Sequence, residues 1–412
     1  MAEQPFELVV FGATSFVGQI ICRYLTETHG VNGEVKWAAA GRSREKLEQV
    51  RTGLGDKARD LPLLTADANK PEELNELCRQ TRVVLSTVGP YAFYGEPMVS
   101  ACVENGTDYV DLTGEVQWIR AMLQKYETQA RESGARIVHC CGFDSIPSDL
   151  GVHFLQQQAQ TNFGAPCNRV KMRVKSMKGT FSGGTVASML NVAQQAAKDK
   201  ELRKVLADPY ALCITDSVSR VRQPHVASAE YDPDFDLWLA PFVMGSINTR
   251  VVHRSNCITG GAYGPDFQYD EAVITGQGMK GRMGAYSMAA GLGGFMVSAA
   301  IKPTRWIMEK FFLPAPGEGP SPEAQDKGFF DIRFHGRTAN GDEIRTKVTG
   351  DKDPGYGSTS KMISEAALCL AEETPREDKP GGFWTPATIF GDKLIRRLEA
   401  RAGLTFEVQQ RA

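Results

Sequence analysis

A wholly apolar run that stops dead at a glycine constrains this chain more than any other feature. Leu8, Val9, Val10 and Phe11 have the character of a strand covered on both faces. Gly12-Ala13-Thr14-Ser15-Phe16-Val17-Gly18 follows, and then Val17, Ile20, Ile21, Tyr24 and Leu25 recur at helical spacing. A strand that turns through glycines into an amphipathic helix presents helix-opening amides with no intrahelical partner, which attract an anion. Gly12 suits the tight turn and Gly18 the close packing of helix on strand. Ser15 stands in the middle position, where a glycine is common and where a hydroxyl can bond a phosphate.

The same strand-then-helix unit repeats. A second apolar run, Val35 to Ala40, ends in Gly41-Arg42-Ser43-Arg44; a third, Leu61 to Ala66, ends at Asp67; a fourth, Val83 to Val88, ends in Gly89-Pro90-Tyr91. This alternation predicts an α/β fold, a Rossmann-type doubly wound parallel sheet, with a second α+β substrate domain after it. Strand ends along one edge of such a sheet are where a dinucleotide lies. Gly12, Thr14, Ser15, Phe16, Val17 and Gly18 are therefore the candidate diphosphate turn. Asp67 is a candidate adenine-side contact, and Thr87, Val88, Gly89 and Pro90 a candidate nicotinamide-side loop. NAD-binding units place an acid after the second strand for the ribose hydroxyls, but here the place is basic. Arg42 with Ser43, and Arg44 as a further candidate beside them, is expected to hold the 2′-phosphate of NADP by charge-assisted hydrogen bonds; the plain alternative is a solvated helix start.

The chain has 412 residues, more than one core usually organises, so two domains are expected. Three segments are read: 1–150 as the NADP-binding domain, 151–352 as the substrate domain, and 353–412 as helices returning to the first. A net charge of −2 gives no field to recruit nucleic acid, so none is expected as a partner. The nine cysteines contain no CxxC pair and no histidine at zinc-ligand spacing. They read as reduced thiols, mostly core filler, in a chain without a metal. The polar MAEQP start lacks the order of a secretory signal, so a cytoplasmic location is expected.

Later segments carry a family resemblance. These are Tyr94-Gly95-Glu96-Pro97, the run Ala101 to Asp111, Gly114-Glu115 and Cys141-Gly142-Phe143-Asp144-Ser145-Ile146-Pro147-Ser148-Asp149-Leu150-Gly151. Ser182-Gly183-Gly184-Thr185, Asn248-Thr249-Arg250-Val251-Val252 and Asp353-Pro354-Gly355-Tyr356-Gly357 continue the series. Together they resemble the saccharopine dehydrogenase-like oxidoreductase family over nearly the whole chain, and the group of it that includes mycobacterial trans-acting enoyl reductases. The resemblance implies NADPH and reduction of an enoyl group on a small-molecule or carrier-bound acyl substrate. Two departures stand out: Ser15 replaces the family's usual glycine, and Phe143 to Pro147 differs from the Asp-Pro-Gly type of saccharopine reductases proper. Lysine metabolism is accordingly the second reading.

Past residue 150 the alternation stops. Val170 to Met177, Asn248 to Cys257 and Phe329 to Val348 read as strands, the last a hairpin turned at Ala339-Asn340-Gly341-Asp342. Met283 to Ile301 has no charged residue and the length of a membrane span, diluted by glycines, serines and a tyrosine. A buried helix or helix pair is the favoured reading. The alternative joins it to Trp306, Ile307, Phe311, Phe312 and Leu313, flanked by Lys302, Arg305 and Lys310, as a peripheral membrane or lipid surface over 283–313. Pro314 to Pro320 reads as a connector. A homo-oligomer is left open.

Hydride chemistry belongs to a nicotinamide, and the protein contributes orientation and a proton. Tyr91, Tyr94, Asp144 and Ser145 are the catalytic candidates, because they follow the fourth strand or sit in the Gly-Phe-Asp-Ser segment; a loop hydrogen bond is the plain alternative for each. His139, inside an apolar strand, is expected to be a buried structural histidine. A non-catalytic lipid-surface protein on the same fold is the rival from another class.

Overall fold

Short apolar strands punctuated by glycine, proline or aspartate produce the first sheet. In the computed structural model, which describes residues 4–31, 33–179, 183–214, 218–301, 304 and 319–409, the strands are β1 (Phe6–Phe11), β2 (Trp37–Gly41), β3 (Leu63–Thr65), β4 (Thr81–Ser86), β5 (Asp108–Asp111) and β6 (Arg136–Val138). Helices α1 (Phe16–Thr28), α2 (Arg44–Gly53), α3 (Pro71–Arg79), α4 (Tyr91–Tyr94), α5 (Glu96–Asn105) and α6 (Val116–Ser133) connect them. The strand Gly382–Trp384 adds to β6, and the order is Gly382–Trp384, β6, β5, β4, β1, β2, β3, all parallel. β1 lies between β2 and β4, so the chain reverses its winding direction there; in open α/β sheets that is where a crevice opens.

Two buried devices hold this unit. Helix Thr359–Leu368 is buried at every position but Lys361 and packs on α1, β1, β4 and β5. Its Glu365 receives Tyr24 Oη at 2.8 Å and Arg397 Nε at 2.9 Å and meets His29 Nε2 at 2.9 Å. Burial works to raise the Glu365 carboxyl, but these three partners outweigh it and leave it below the usual range. Arg136 and Asp108 form a fully buried ion pair, whose guanidinium also donates to the carbonyls of Leu370 and Thr374.

The second unit contains α7 (Ile146–Phe163, from Pro147 on), β7 (Cys167–Lys178), α8 (Gly183–Lys198), α9 (Lys200–Ala207), β8 (Glu230–Asp232), β9 (Leu237–Pro241), α10 (Gly245–Ile258), β10 (Gln268–Gly276), α11 (Gly278–Ala300), β11 (Phe329–Thr338) and β12 (Glu343–Gly350). Its mixed sheet runs Leu404–Val408, β12, β11, β7, β10, β9, β8, with β10 parallel to β7 and the other pairs antiparallel. The β11–β12 hairpin turns at Gly341, whose φ of +93° suits glycine. The units are Met1–Ile146, Gly317–Gly319 and Gly355–Gly403, and Pro147–Pro316, Pro320–Pro354 and Leu404–Ala412.

Three expectations are corrected here. Asn248 to Cys257 is part of helix α10, because Ile247, Val251, Val252 and Ser255 are buried at helical and not alternating spacing. Met283 to Ala300 is helical, but the helix is largely exposed instead of buried. Cys213 and Cys257 are joined as a disulfide instead of standing as free thiols, while the other seven cysteines are free and buried. Ser182, Lys302, Arg305, all of Trp306 to Leu313 and most of the Pro314–Pro320 connector lie outside the described residues.

Candidate dinucleotide and catalytic site

The turn between β1 and α1 is built to bring backbone close to something. Gly12 has φ +89°, and a Cβ there would lie 2.6 Å from Thr87 Oγ1 and 2.9 Å from Val88 Cγ2. A Cβ on Gly18 would lie 2.3 Å from the Gly12 carbonyl oxygen. Both positions therefore demand glycine. Ser15 is the N-cap of α1: its Oγ accepts from Gly18 N at 3.0 Å and pairs with Thr87 Oγ1 at 3.0 Å, and Thr87 Oγ1 donates to the Gly12 carbonyl at 3.0 Å. The serine that replaces a glycine thus locks the turn to the end of β4. The amides of Phe16 and Val17 have no partner among the described residues. The Phe16 ring meets Tyr356 edge-on at 4.9 Å, and Gly319 lies close enough that a Cβ there would enter the ring. Thr14 lies in the same turn, partly buried.

At the end of β2, Arg42 is exposed and makes no hydrogen bond or ion pair among the described residues. Ser43 caps α2, its hydroxyl accepting from Lys46 N at 3.3 Å. Arg44 is engaged instead with Glu48 at 3.0 Å and the Leu63 carbonyl at 2.9 Å. Asp67 closes a turn on Asn69, whose backbone amide holds its carboxyl below the usual range with a further contribution from Arg42. These features fit a dinucleotide with a 2′-phosphate: close-approach glycines, two open amides and an unengaged guanidinium.

Along the same sheet edge the catalytic candidates separate. Tyr91 is buried, its Oη donating to the Ser86 carbonyl at 3.0 Å and accepting from Leu112 N at 3.2 Å, and burial holds its phenol well above the ordinary value. Its hydroxyl is therefore committed to the sheet edge. Tyr94 is 46% exposed on α4, beside Phe93 at 60%. Val88, Gly89 and Pro90 form the loop between β4 and α4. Ser145 is fully buried, its Oγ donating to the Asp144 carbonyl. Asp144 has a half-buried side chain that makes no hydrogen bond or ion pair among the described residues, and burial pushes its carboxyl up to about 7.

Sequence reasoning underweighted three residues that shape this edge. The buried Glu115 carboxylate accepts from the amides of Tyr91 at 2.9 Å and Ala92 at 3.0 Å and so anchors the start of α4. Asp111, at the end of β5, accepts from Thr113 N at 3.1 Å and Cys140 N at 3.2 Å and pairs with His139 Nδ1 at 2.7 Å. It thereby sets the path of the segment leading to Asp144, and His139 is the buried structural partner in that arrangement. Thr87 is the third, read as part of the nicotinamide-side loop but bonded to Ser15 Oγ and the Gly12 carbonyl. For Asp111 the available signal was an acid standing where an apolar strand ends, which does not reveal its partner. Among the described residues no cluster of His, Cys, Asp and Glu is arranged to hold a metal ion.

A parallel sheet with its glycine turn at the winding reversal, open helix amides and a basic second-strand end defines a Rossmann-type NADP-dependent oxidoreductase. Comparison with known proteins agrees, since residues 8–138 match the saccharopine dehydrogenase NADP binding domain. The trans-acting enoyl reductases of Mycobacterium ulcerans and Mycobacterium tuberculosis are each 35% identical to this chain, over 96% of both chains. A further Mycobacterium tuberculosis protein, with the same activity as its provisional name, is 38% identical over 99% of both. The apo saccharopine dehydrogenase (L-Glu forming) of Saccharomyces cerevisiae shares the fold, with a TM-score of 0.56 at 11% identity over 99% of this chain and 100% of that one. The chain belongs to the saccharopine dehydrogenase-like family, in the group of the trans-acting enoyl reductases.

Proposed function

We propose that this protein reduces the carbon–carbon double bond of an enoyl or related acyl substrate with NADPH, and that Asp144 is the proton donor. The carrying observation is a carboxyl with no polar partner among the described residues, raised by burial to about 7, on the sheet edge that bears the nucleotide turn. An acid with that value is part protonated at neutral pH and still able to give the proton up. β6 is three strands from β1 in the sheet, about 14 Å at the usual strand spacing, which suits a nicotinamide extended toward β4 from a diphosphate at α1.

Bound NADPH would supply the hydride. The amides of Phe16 and Val17 would hold the diphosphate, with Gly12 and Gly18 allowing its approach, and Arg42 with Ser43 would hold the 2′-phosphate. Val88, Gly89 and Pro90 would line the nicotinamide side and Asp67 the adenosine side. Asp144 Oδ would carry the proton for the substrate's α-carbon, while Tyr94 and Phe93 offer an exposed aromatic surface to the acyl part. The names of the relatives favour an enoyl group and action in trans on a carried acyl chain.

The second reading, a saccharopine-type amino-acid reductase, draws on the matched domain and the shared fold. The test is NADPH oxidation with a panel of 2-enoyl thioesters, run beside α-aminoadipate semialdehyde plus glutamate. Turnover of thioesters alone is expected. Silence there with turnover of the amino-acid pair would transfer the assignment to the second reading, and silence in both despite tight NADPH binding would leave the non-catalytic reading.

A further inference from the structure

Helix α11 has an unusual surface. Met279, Met283, Tyr286, Ala290, Gly293 and Val297 recur three, four or seven residues apart, so they fall on one stripe along the helix. All six are exposed, with Met279 at 68%, Met283 at 66% and Val297 at 61%. The opposite side holds the helix to its unit: Gly281 and Ala285 are buried where α11 meets β9 and β10, and Ala299 is buried with Leu190 and Ala193 of α8. Even on that side Met288 is 45% exposed, midway between the two supports. Four exposed large apolar side chains, Met279, Met283, Tyr286 and Val297, on one uncharged stripe closed up by Ala290 and Gly293 call for something to cover them.

Charge says what. From Ala272 to Met308 the sequence contains no Asp or Glu, but it contains Lys280, Arg282, Lys302 and Arg305, in a chain whose acids otherwise outnumber its bases; the fold brings one carboxylate to the helix start, Asp236, which accepts from Gln277 Nε2 at 3.3 Å. Arg282 lies over the rings of Trp238, at 5.5 Å, and Tyr286, at 5.9 Å, with Lys280 exposed beside it. Tryptophan, tyrosine and arginine grouped at one end of an uncharged apolar stripe match the boundary between lipid headgroups and acyl chains. No helix among the described residues is long and apolar enough to cross a membrane, so the helix would lie in the surface and not span it.

We propose that α11 docks this protein on an anionic lipid bilayer, with the methionine stripe at the acyl boundary and Arg282, Trp238 and Tyr286 at headgroup level. This assignment does not depend on the enoyl reading. It is tested with the full chain by flotation with vesicles of phosphatidylcholine alone and of phosphatidylcholine with phosphatidylglycerol. The wild type is expected to float with the anionic vesicles and to be released by salt. Met283→Glu combined with Val297→Glu, two exposed positions outside the nucleotide site, should lower the partition by about tenfold or more while NADPH binding and the circular dichroism spectrum stay unchanged. Absence of flotation would overturn the proposal, as would equal flotation of the variant or indifference to lipid charge. A concentration-dependent dimer that the same double substitution abolishes would assign the stripe to a second copy of the chain instead.

Discussion

At the scale of single residues, Arg42 and Asp144 carry the functional case. Arg42→Ala should weaken NADPH by about ten- to a hundredfold and leave NADH almost unchanged, because one charge-assisted contact to the 2′-phosphate is worth roughly 1.5–3 kcal/mol. Titration by nicotinamide fluorescence decides it; equal losses for both coenzymes would show that the guanidinium does not touch that phosphate. As the proposed donor, Asp144 would act in its protonated form, so kcat/KM should fall as pH rises through about 7. Asp144→Asn should lower kcat by about 10²–10⁴ and abolish that limb of the profile. A variant that kept the limb would move the proton donor elsewhere.

At the scale of elements, the β1–α1 turn depends on glycine where backbone faces backbone. Gly18→Ala would set a methyl 2.3 Å from the Gly12 carbonyl oxygen and 2.9 Å from Ala13 Cα. Overpacking of that kind costs about 1–3 kcal/mol, and the open amides would be displaced as well. A lower melting temperature with loss of NADPH affinity is expected. α10 and β10 are tied by Glu271, which accepts from Tyr269 Oη at 2.7 Å and Asn248 Nδ2 at 2.9 Å while burial pushes its carboxyl up to about 7. Between the unfolded value of about 4.3 and that folded value the native state binds more protons than the unfolded one. Stability must therefore fall as pH rises through this window. Glu271→Gln should flatten the dependence, so the variant's melting temperature should gain on the wild type between pH 5 and pH 8; an unchanged slope would place the titration elsewhere.

The same scale shows what the sequence made legible. β1, β2 and β4 were readable because continuous apolar runs ending at glycine or proline admit few other structures, and the β11–β12 turn because Asn340-Gly341 favours the left-handed backbone found there. The element α10 was misread because Val251-Val252 is a short apolar pair that periodicity alone does not assign, and its helix is decided by burial of Ile247 and Ser255 on either side. The exposure of α11 was equally hidden, since apolar composition does not say whether a neighbour arrives to cover it. At the site, Arg42 and the glycines were visible as residue types at fixed offsets from a strand. The roles of Glu115 and Asp111 came only from the folded path, which brings their carboxylates to amides far away in sequence.

At the scale of the whole molecule, the Cys213–Cys257 bridge closes a loop with a sequence separation of 44. A loop of that length is worth about 4 kcal/mol in the chain-entropy account. Thiol titration of the denatured, unreduced protein should find seven groups and, after reduction, nine. Reduction should also lower the melting temperature; nine thiols at the outset would mean that the pair stays open in solution.

The last strand of the first sheet, Gly382–Trp384, and the helix Thr359–Leu368 that fills its core both come from the far end of the chain. A ribosome making this protein must therefore complete almost all of the second unit while the nucleotide-binding sheet still has an open flank at β6 and a missing core helix. Nascent chains stalled before Pro375 should be unable to retain NADPH, and the interval before release is when this protein most needs a chaperone.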